Sequence, residues 1–219
     1  MKIKIIDRIG YAGTIKMLEE LHHSVVMDTA NEAIILCTHP STITLGHRTD
    51  LGEVLIDRPT RLFQNIGLFF SPRGGGATFH YPGQEVIYPV LSLQKRGLLV
   101  DRYIEILARS AQNVLKRLNI PCEWDPKRPG LYVKNKKIAS IGLYISKGVT
   151  SHGMAINISS DQGGFSLIHP CKSPGLQVTS IQEITGTIPE RWQVAQAVTR
   201  ELLLKIGGKN FQALELDSV

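Results

Sequence analysis

Cysteine is scarce in this sequence: Cys37, Cys122 and Cys171 are the only three in 219 residues, far apart and outside any CxxC spacing. That count argues against a disulfide framework or a cysteine-based zinc site and points to a reducing compartment. Long apolar runs are missing too. The clearest, Ala33 to Cys37, is far shorter than the ~18 residues a membrane helix requires. The opening MKIKIIDRIG has no apolar stretch behind its lysines, so it reads as a half-buried strand rather than a secretory signal. Neither GxxxxGK[ST] nor GxGxxG occurs, which removes the phosphate loop and the dinucleotide fingerprint. Internal repeats, low-complexity stretches and long polar linkers are also lacking. These absences predict one cytoplasmic domain over residues 1–219, with no membrane span, no metal and no cofactor.

What the chain does carry is positive charge, unevenly placed. Twenty-five Lys and Arg face 19 Asp and Glu, a net +6. Residues 91–150 hold 12 basic and 4 acidic residues, a net +8, and the remainder holds 13 and 15, a net −2. Such a patch suits an acidic partner, whether nucleic acid, carrier protein or anionic membrane. Nucleic acid fits poorly, because only Tyr103, Trp124, Tyr132 and Tyr144 interleave with these cations.

Periodicity predicts strands at 2–6, 33–37, 42–45, 86–91, 130–133, 137–145 and 154–158. Helices are expected over 11–27 and 99–118, the second with an inner stripe of Leu99, Tyr103, Ile106, Leu107, Val114 and Leu118. A further helix is expected near Ile188–Ile206, with Thr187 and Glu190 as a capping box and Gly207-Gly208 as its stop. A short helix is also expected at Thr179–Ile184. Strands and helices mix without regular βαβ alternation, which favours an α+β mixed-sheet domain.

Four segments are dense in chemistry. Arg73-Gly74-Gly75-Gly76-Ala77-Thr78-Phe79-His80 strips side chains from the backbone beside an arginine, a threonine and a histidine. It reads either as a hairpin turn or as a loop where a ligand approaches the amides closely. Lys137-Ile138-Ala139-Ser140-Ile141-Gly142 is a strand led by a lysine, which is either a solvated strand end or a group drawn into a pocket. Strict alternation would set Lys137, Ala139 and Ile141 on one face and Ile138, Ser140 and Gly142 on the other. His152-Gly153-Met154-Ala155 is a small-residue strand whose histidine reads as a hydrogen-bonded structural group. Cys171 sits in a Pro170-Cys171-Lys172 loop beside positive charge, a setting that favours thiolate. Cys37, by contrast, lies in a core-like run, and Cys122 fits either reading.

In this order the segments resemble the octanoyltransferases of lipoate biosynthesis. The matching pieces are His39-Pro40 with Gly46, Arg73-Gly74-Gly75 through His80-Tyr81-Pro82-Gly83-Gln84, and Gly130-Leu131-Tyr132-Val133. They continue with Lys137 to Gly142, His152-Gly153 with Asn157, and Pro170-Cys171 with Val178-Thr179-Ser180. Two positions depart from the family pattern: Tyr81 and Lys172 stand where glycine is usual. The resemblance implies the α+β fold shared with lipoate and biotin protein ligases. It implies transfer of octanoyl from acyl carrier protein to a lipoyl-domain lysine, the first step of endogenous protein lipoylation. Cys171 would carry the acyl thioester, and Lys137 would promote its ionisation and exchange protons. The acyl-binding stretches would be Arg73, Gly74, Gly75, Gly76, Ala77, Thr78, Phe79 and His80, with Ser140, Ile141, Gly142, Gly153, Met154 and Ala155. Acceptors would be the lipoyl domains of 2-oxoacid dehydrogenase E2 subunits and the glycine cleavage H protein, and the enzyme would act as a monomer. Alternatives on the same fold are an ATP-dependent lipoate or biotin ligase and an amidotransferase between lipoyl domains.

Overall fold

Two mixed sheets organise the residues described by the computed structural model: 1–55, 65–169, 175–207 and 217–218. Cys171 and Lys172 lie outside the described residues. The larger sheet has the order β11 (Asp217–Ser218), β1 (Lys2–Ile6), β2 (Ala33–Cys37), β6 (Gln84–Val90), β10 (Val149–Asn157), β9 (Lys136–Ser146), β8 (Gly130–Val133) and β7 (Glu123–Asp125). β1 runs parallel to both its neighbours, and the other pairs are antiparallel. The smaller sheet has the order β4 (Gly67–Phe70), β3 (Thr42–Leu45) and β5 (Ala77–His80), with β3 parallel to β4 and antiparallel to β5. The architecture is α+β, as the irregular alternation of elements implies.

Side-chain alternation gives the large sheet two unlike faces. Ile87 and Leu91 point from β6 and its end toward helices α2 (Val100–Arg117) and α4 (Gln193–Lys205), as do Met154 and Ile156 of β10. Of the expected α2 stripe, Tyr103, Ile106, Leu107 and Val114 are buried there and Leu118 partly so, whereas Leu99, one residue before the helix, is exposed. Removing such a side chain from water stabilises the fold by about 1.5–3 kcal/mol. Val86, Tyr88 and Val90 point the other way, toward α1 (Tyr11–Val26) and the small sheet. Cys37 and Cys122 are both buried among apolar neighbours. Among the described residues no helix is long and apolar enough to cross a membrane.

Two expectations fail. The last long helix begins at Gln193, not near Ile188, and Thr187 and Glu190 form no capping box. Glu85 of β6 takes the capping role, accepting from the backbone amides of Trp192 (2.8 Å) and Ala195 (2.7 Å). A buried carboxylate delivered by the sheet thus satisfies the helix N-terminus in place of a local side chain. The short helix α3 (Ile181–Thr185) does have a local cap, in which the Ser180 hydroxyl accepts from the Glu183 amide at 3.1 Å. The second failure is the alternation along β9. Leu131 opposes Ala139 but Tyr132 opposes Lys137, so one extra residue, a β-bulge, intervenes between Lys137 and Ala139. The bulge flips the pattern. Lys137 therefore faces with Ser140 and Gly142, not with Ala139 and Ile141, and Ile138 joins Ala139 in the core under α2.

Candidate active site

Between the two sheets lies a narrow cleft that opens to solvent. Its floor is Ser140, Ile141 and Gly142 of β9 with His152, Gly153, Met154 and Ala155 of β10, although the Ile141 and Met154 side chains pack in the core on the α2 side. The opposite wall is Arg73, Gly74, Gly75 and Gly76, followed by Thr78 and His80 of β5, and Tyr11 of α1 and Tyr88 of β6 close the side. Ala77 and Phe79 are not among the lining residues. They alternate to the other face of β5, where Phe79 packs on Tyr81 and Phe165 in the small-sheet core.

Glycine is required at two lining positions by what packs behind them. A Cβ on Gly76 would lie 2.1 Å from a carboxylate oxygen of Glu53, and one on Gly153 would lie 2.2 Å from the Ile87 carbonyl. Glu53 itself fastens this wall, accepting from the Ala77 amide at 2.8 Å and the Asp50 amide at 2.7 Å. The Gly74 amide donates to the Leu143 carbonyl of β9 at 2.7 Å, stitching the glycine segment across the cleft.

Arg73 is buried with its guanidinium against β3. It donates to the Thr44 carbonyl at 2.7 Å, to the Thr44 hydroxyl at 2.8 Å and to the Gly74 carbonyl at 3.1 Å. Behind it stands a buried cluster of tyrosines and histidines. The Tyr11 hydroxyl donates to the Ser71 hydroxyl at 2.8 Å, which lies 3.2 Å from His152 Nε2. His39 Nδ1 donates to the Ile9 carbonyl at 2.8 Å, leaving Nε2 to accept from the Tyr88 hydroxyl at 2.9 Å. His152 has a left-handed φ of 60°, uncommon for a residue with a side chain. Burial, reinforced by the Arg73 charge, pushes His152 down to about 3, so its imidazole is neutral at physiological pH. It is a hydrogen-bonded group, as the sequence suggested, and it borders the cavity. Sequence reasoning passed over Tyr11, Ser71 and Tyr88, because only folding brings these separated residues together.

Lys137 is 1% exposed, which removes the solvated-strand-end reading. Its Nζ donates to the Pro129 carbonyl at 3.4 Å and lies 5.3 Å from the Tyr132 ring centroid. Gly130 makes its passage possible: a Cβ there would lie 2.7 Å from Lys137 Cε and 2.5 Å from the Ala139 carbonyl. Tyr81, where the family pattern has glycine, shows no positive φ. It is buried and donates to the Ser159 carbonyl at 2.9 Å, so this departure adds a contact without straining the backbone. Among the described residues no group of three His, Cys, Asp or Glu is arranged to hold a metal ion.

The Lipoyl protein ligase A/B catalytic domain family matches residues 11–203. An octanoyltransferase of Citrifermentans bemidjiense is 36% identical over 181 residues, covering 83% of this chain and 85% of its own. One of Methylococcus capsulatus is 31% identical over 211 residues, covering 96% and 98%. Among solved structures, P. falciparum LipL1 in complex with lipoate superposes with a TM-score of 0.73 over 98% of this chain and 65% of that one, at 13% identity, which speaks to the fold. With a family match across most of the chain and full-length relatives above 30% identity, this chain belongs to the octanoyltransferases of the lipoyl protein ligase A/B family and is an acyltransferase of protein lipoylation.

Proposed function

We propose that the enzyme takes octanoyl from acyl carrier protein onto Cys171 and passes it to a lysine of a lipoyl domain, without ATP. In the first half, the Cys171 thiolate attacks the thioester carbonyl of the donor. A new C–S bond forms as the donor's C–S bond breaks, and the departing carrier thiolate takes its proton from the Lys137 ammonium, leaving that lysine neutral for the second half. In the second half, the acceptor lysine, as free amine, attacks the enzyme thioester. The amide C–N bond forms, the Cys171 thiolate departs, and the amine's proton passes to a base. Lys137 serves as cation beside the thiolate in the first half and as proton carrier in the second. The small residues Gly74, Gly75, Gly142 and Ala155 leave room for the acyl chain, whose burial contributes about 0.8 kcal/mol per CH₂. Acceptors are the lipoyl domains of 2-oxoacid dehydrogenase E2 subunits and the glycine cleavage H protein, and the enzyme acts as a cytoplasmic monomer.

The observation that carries this reading is the tethering of both described flanks of residues 170–174 to the cleft. The His169 amide donates to the Glu53 carbonyl at 2.7 Å, and Glu53 holds the glycine wall. On the other side Val178 bridges to Lys137 in parallel, with Lys137 N–H to the Gln177 carbonyl and Thr179 N–H to the Lys137 carbonyl, each 2.9 Å. The test is a chase. Acyl-enzyme freed of donor should deliver octanoyl to a lipoyl-domain lysine when the two are mixed alone. A strict need for ATP and free octanoate would instead mark a ligase.

A further inference from the structure

A line of buried amides runs from the cavity wall to the backbone of Lys137, and the chemistry above makes no use of it. The Asn157 side chain donates through Nδ2 to the Thr179 carbonyl at 2.9 Å and to the Lys137 carbonyl at 3.4 Å. Its Oδ1 accepts from Gln84 Nε2 at 2.9 Å, and Nε2 also donates to the Phe79 carbonyl at 3.4 Å. Gln84 Oε1 lies 2.7 Å from His80 Nδ1. All three side chains are buried, with Gln84 at 1% exposure and Asn157 at 3%.

The direction of this line is fixed from its far end. Backbone carbonyls only accept, so the amide nitrogen of Asn157 must face Lys137 and Thr179, and its oxygen must face Gln84. Gln84 must then present its nitrogen to Asn157 and its oxygen to His80. That leaves His80 one tautomer, with the proton on Nδ1. No rotation of a single member satisfies the others, which gives the line one arrangement rather than several.

We infer that Asn157 is a positioning residue: its carboxamide clasps the carbonyls of Lys137 and Thr179, locking the lysine-bearing bulge of β9 to the segment that leads away from Cys171, while Gln84 and His80 hold the clasp in orientation. Strand pairing alone leaves this junction weak. The bulge interrupts the β8 ladder at Lys137, and the contact with Val178 is an isolated bridge. An amide reaching two carbonyls at once reinforces the two backbone hydrogen bonds of that single bridge. The consequence for catalysis rests on the proposed roles of Lys137 and Cys171, whereas the clasp itself does not.

The test uses the full-length enzyme with Asn157→Ala and Asn157→Asp. The second keeps the shape but turns a carboxylate oxygen toward two carbonyl oxygens. Amide hydrogen exchange at Thr179, whose N–H bonds the clasped Lys137 carbonyl, should quicken by about tenfold or more in both, while amides of α2 stay protected. Unchanged exchange at Thr179 would overturn the clasp. The pH dependence of iodoacetamide alkylation at Cys171 reads the consequence. Burial pushes the Cys37 thiol up, and that of Cys122 up to about 11, so neither competes near neutral pH. In the wild type the alkylation midpoint should lie below the ~8.5 of a free thiol, and in both variants it should rise toward that value. Faster exchange with an unmoved midpoint would overturn the positioning role. A wild-type midpoint already at ~8.5 would count against the Lys137–Cys171 pairing, with exchange at Thr179 still deciding the clasp.

Discussion

The two faces of the large sheet come from the same strands and differ in kind. Under α2 and α4, alternate residues of β2, β6 and β10 bury Ile34, Ile87, Met154 and Ile156 against Leu107, Ala111, Val198 and Leu202. On the other face β6 and β10 support Tyr88 and His152, the neighbouring β9 carries Lys137, and across the cleft stand Arg73, His80 and Tyr11, all buried. The hydrocarbon face needs only shape and apolarity. The polar face needs a partner for each donor and acceptor, since a buried polar group left unmatched costs about 1–3 kcal/mol. Stability is thus concentrated on one side and chemical organisation on the other. Substitutions should separate the two.

The largest effect is expected at Lys137. Lys137→Ala should lower octanoyl transfer by about 10²–10⁴-fold with little change in melting temperature, checked by transfer kinetics beside calorimetry. A variant that unfolds, or that transfers normally, would break the division. Leu107→Ala should behave oppositely. Truncation of this fully buried leucine should cost about 2–5 kcal/mol in denaturant unfolding, while the rate per folded enzyme holds. Gly130→Ala adds a single methyl against Lys137 Cε, and a displacement near 1 Å should lower transfer by about 10²-fold at an unchanged acyl-donor KM.

Acid sharpens the contrast further. Burial lowers His39 and His80 from 6.5, and lowers His152 to about 3. The unfolded chain therefore binds protons below about 6.5 that the folded chain refuses. Their contribution is whole above pH 6.5 and is lost as the pH falls toward 3, by about 1.4 kcal/mol per unit for each histidine still neutral when folded. His152→Gln should flatten that slope by one histidine's share in unfolding titrations between pH 6.5 and 4. An unchanged slope would mean that His152 is charged in the folded protein.

The hydrocarbon face was the legible one. The spacing of Tyr103, Ile106, Leu107 and Val114 predicts α2 to within a residue at each end, because periodic apolar burial is a local property of the chain. The start of α4 was not legible, since its cap, Glu85, comes from a strand more than a hundred positions earlier. The face assignment of Lys137 failed for a similar reason: the bulge that turns it depends on β8 pairing, which no local pattern announces. At the cleft, the glycines and the neighbouring Arg73, Thr78 and His80 stand out in the sequence, and they border the cavity. Gln84 and Asn157 stand in motifs that carry the family resemblance, but what they bond is visible only in the fold, and Tyr11 and Ser71 do not stand out until folding sets them together.

The central claim is covalent transfer through Cys171, and intact-protein mass spectrometry tests it most directly. Wild-type enzyme mixed with octanoyl-acyl carrier protein and no ATP should gain one octanoyl mass that hydroxylamine removes, and Cys171→Ser should gain none. An equal, hydroxylamine-labile adduct on Cys171→Ser, or normal octanoyl transfer by that variant, would contradict the account.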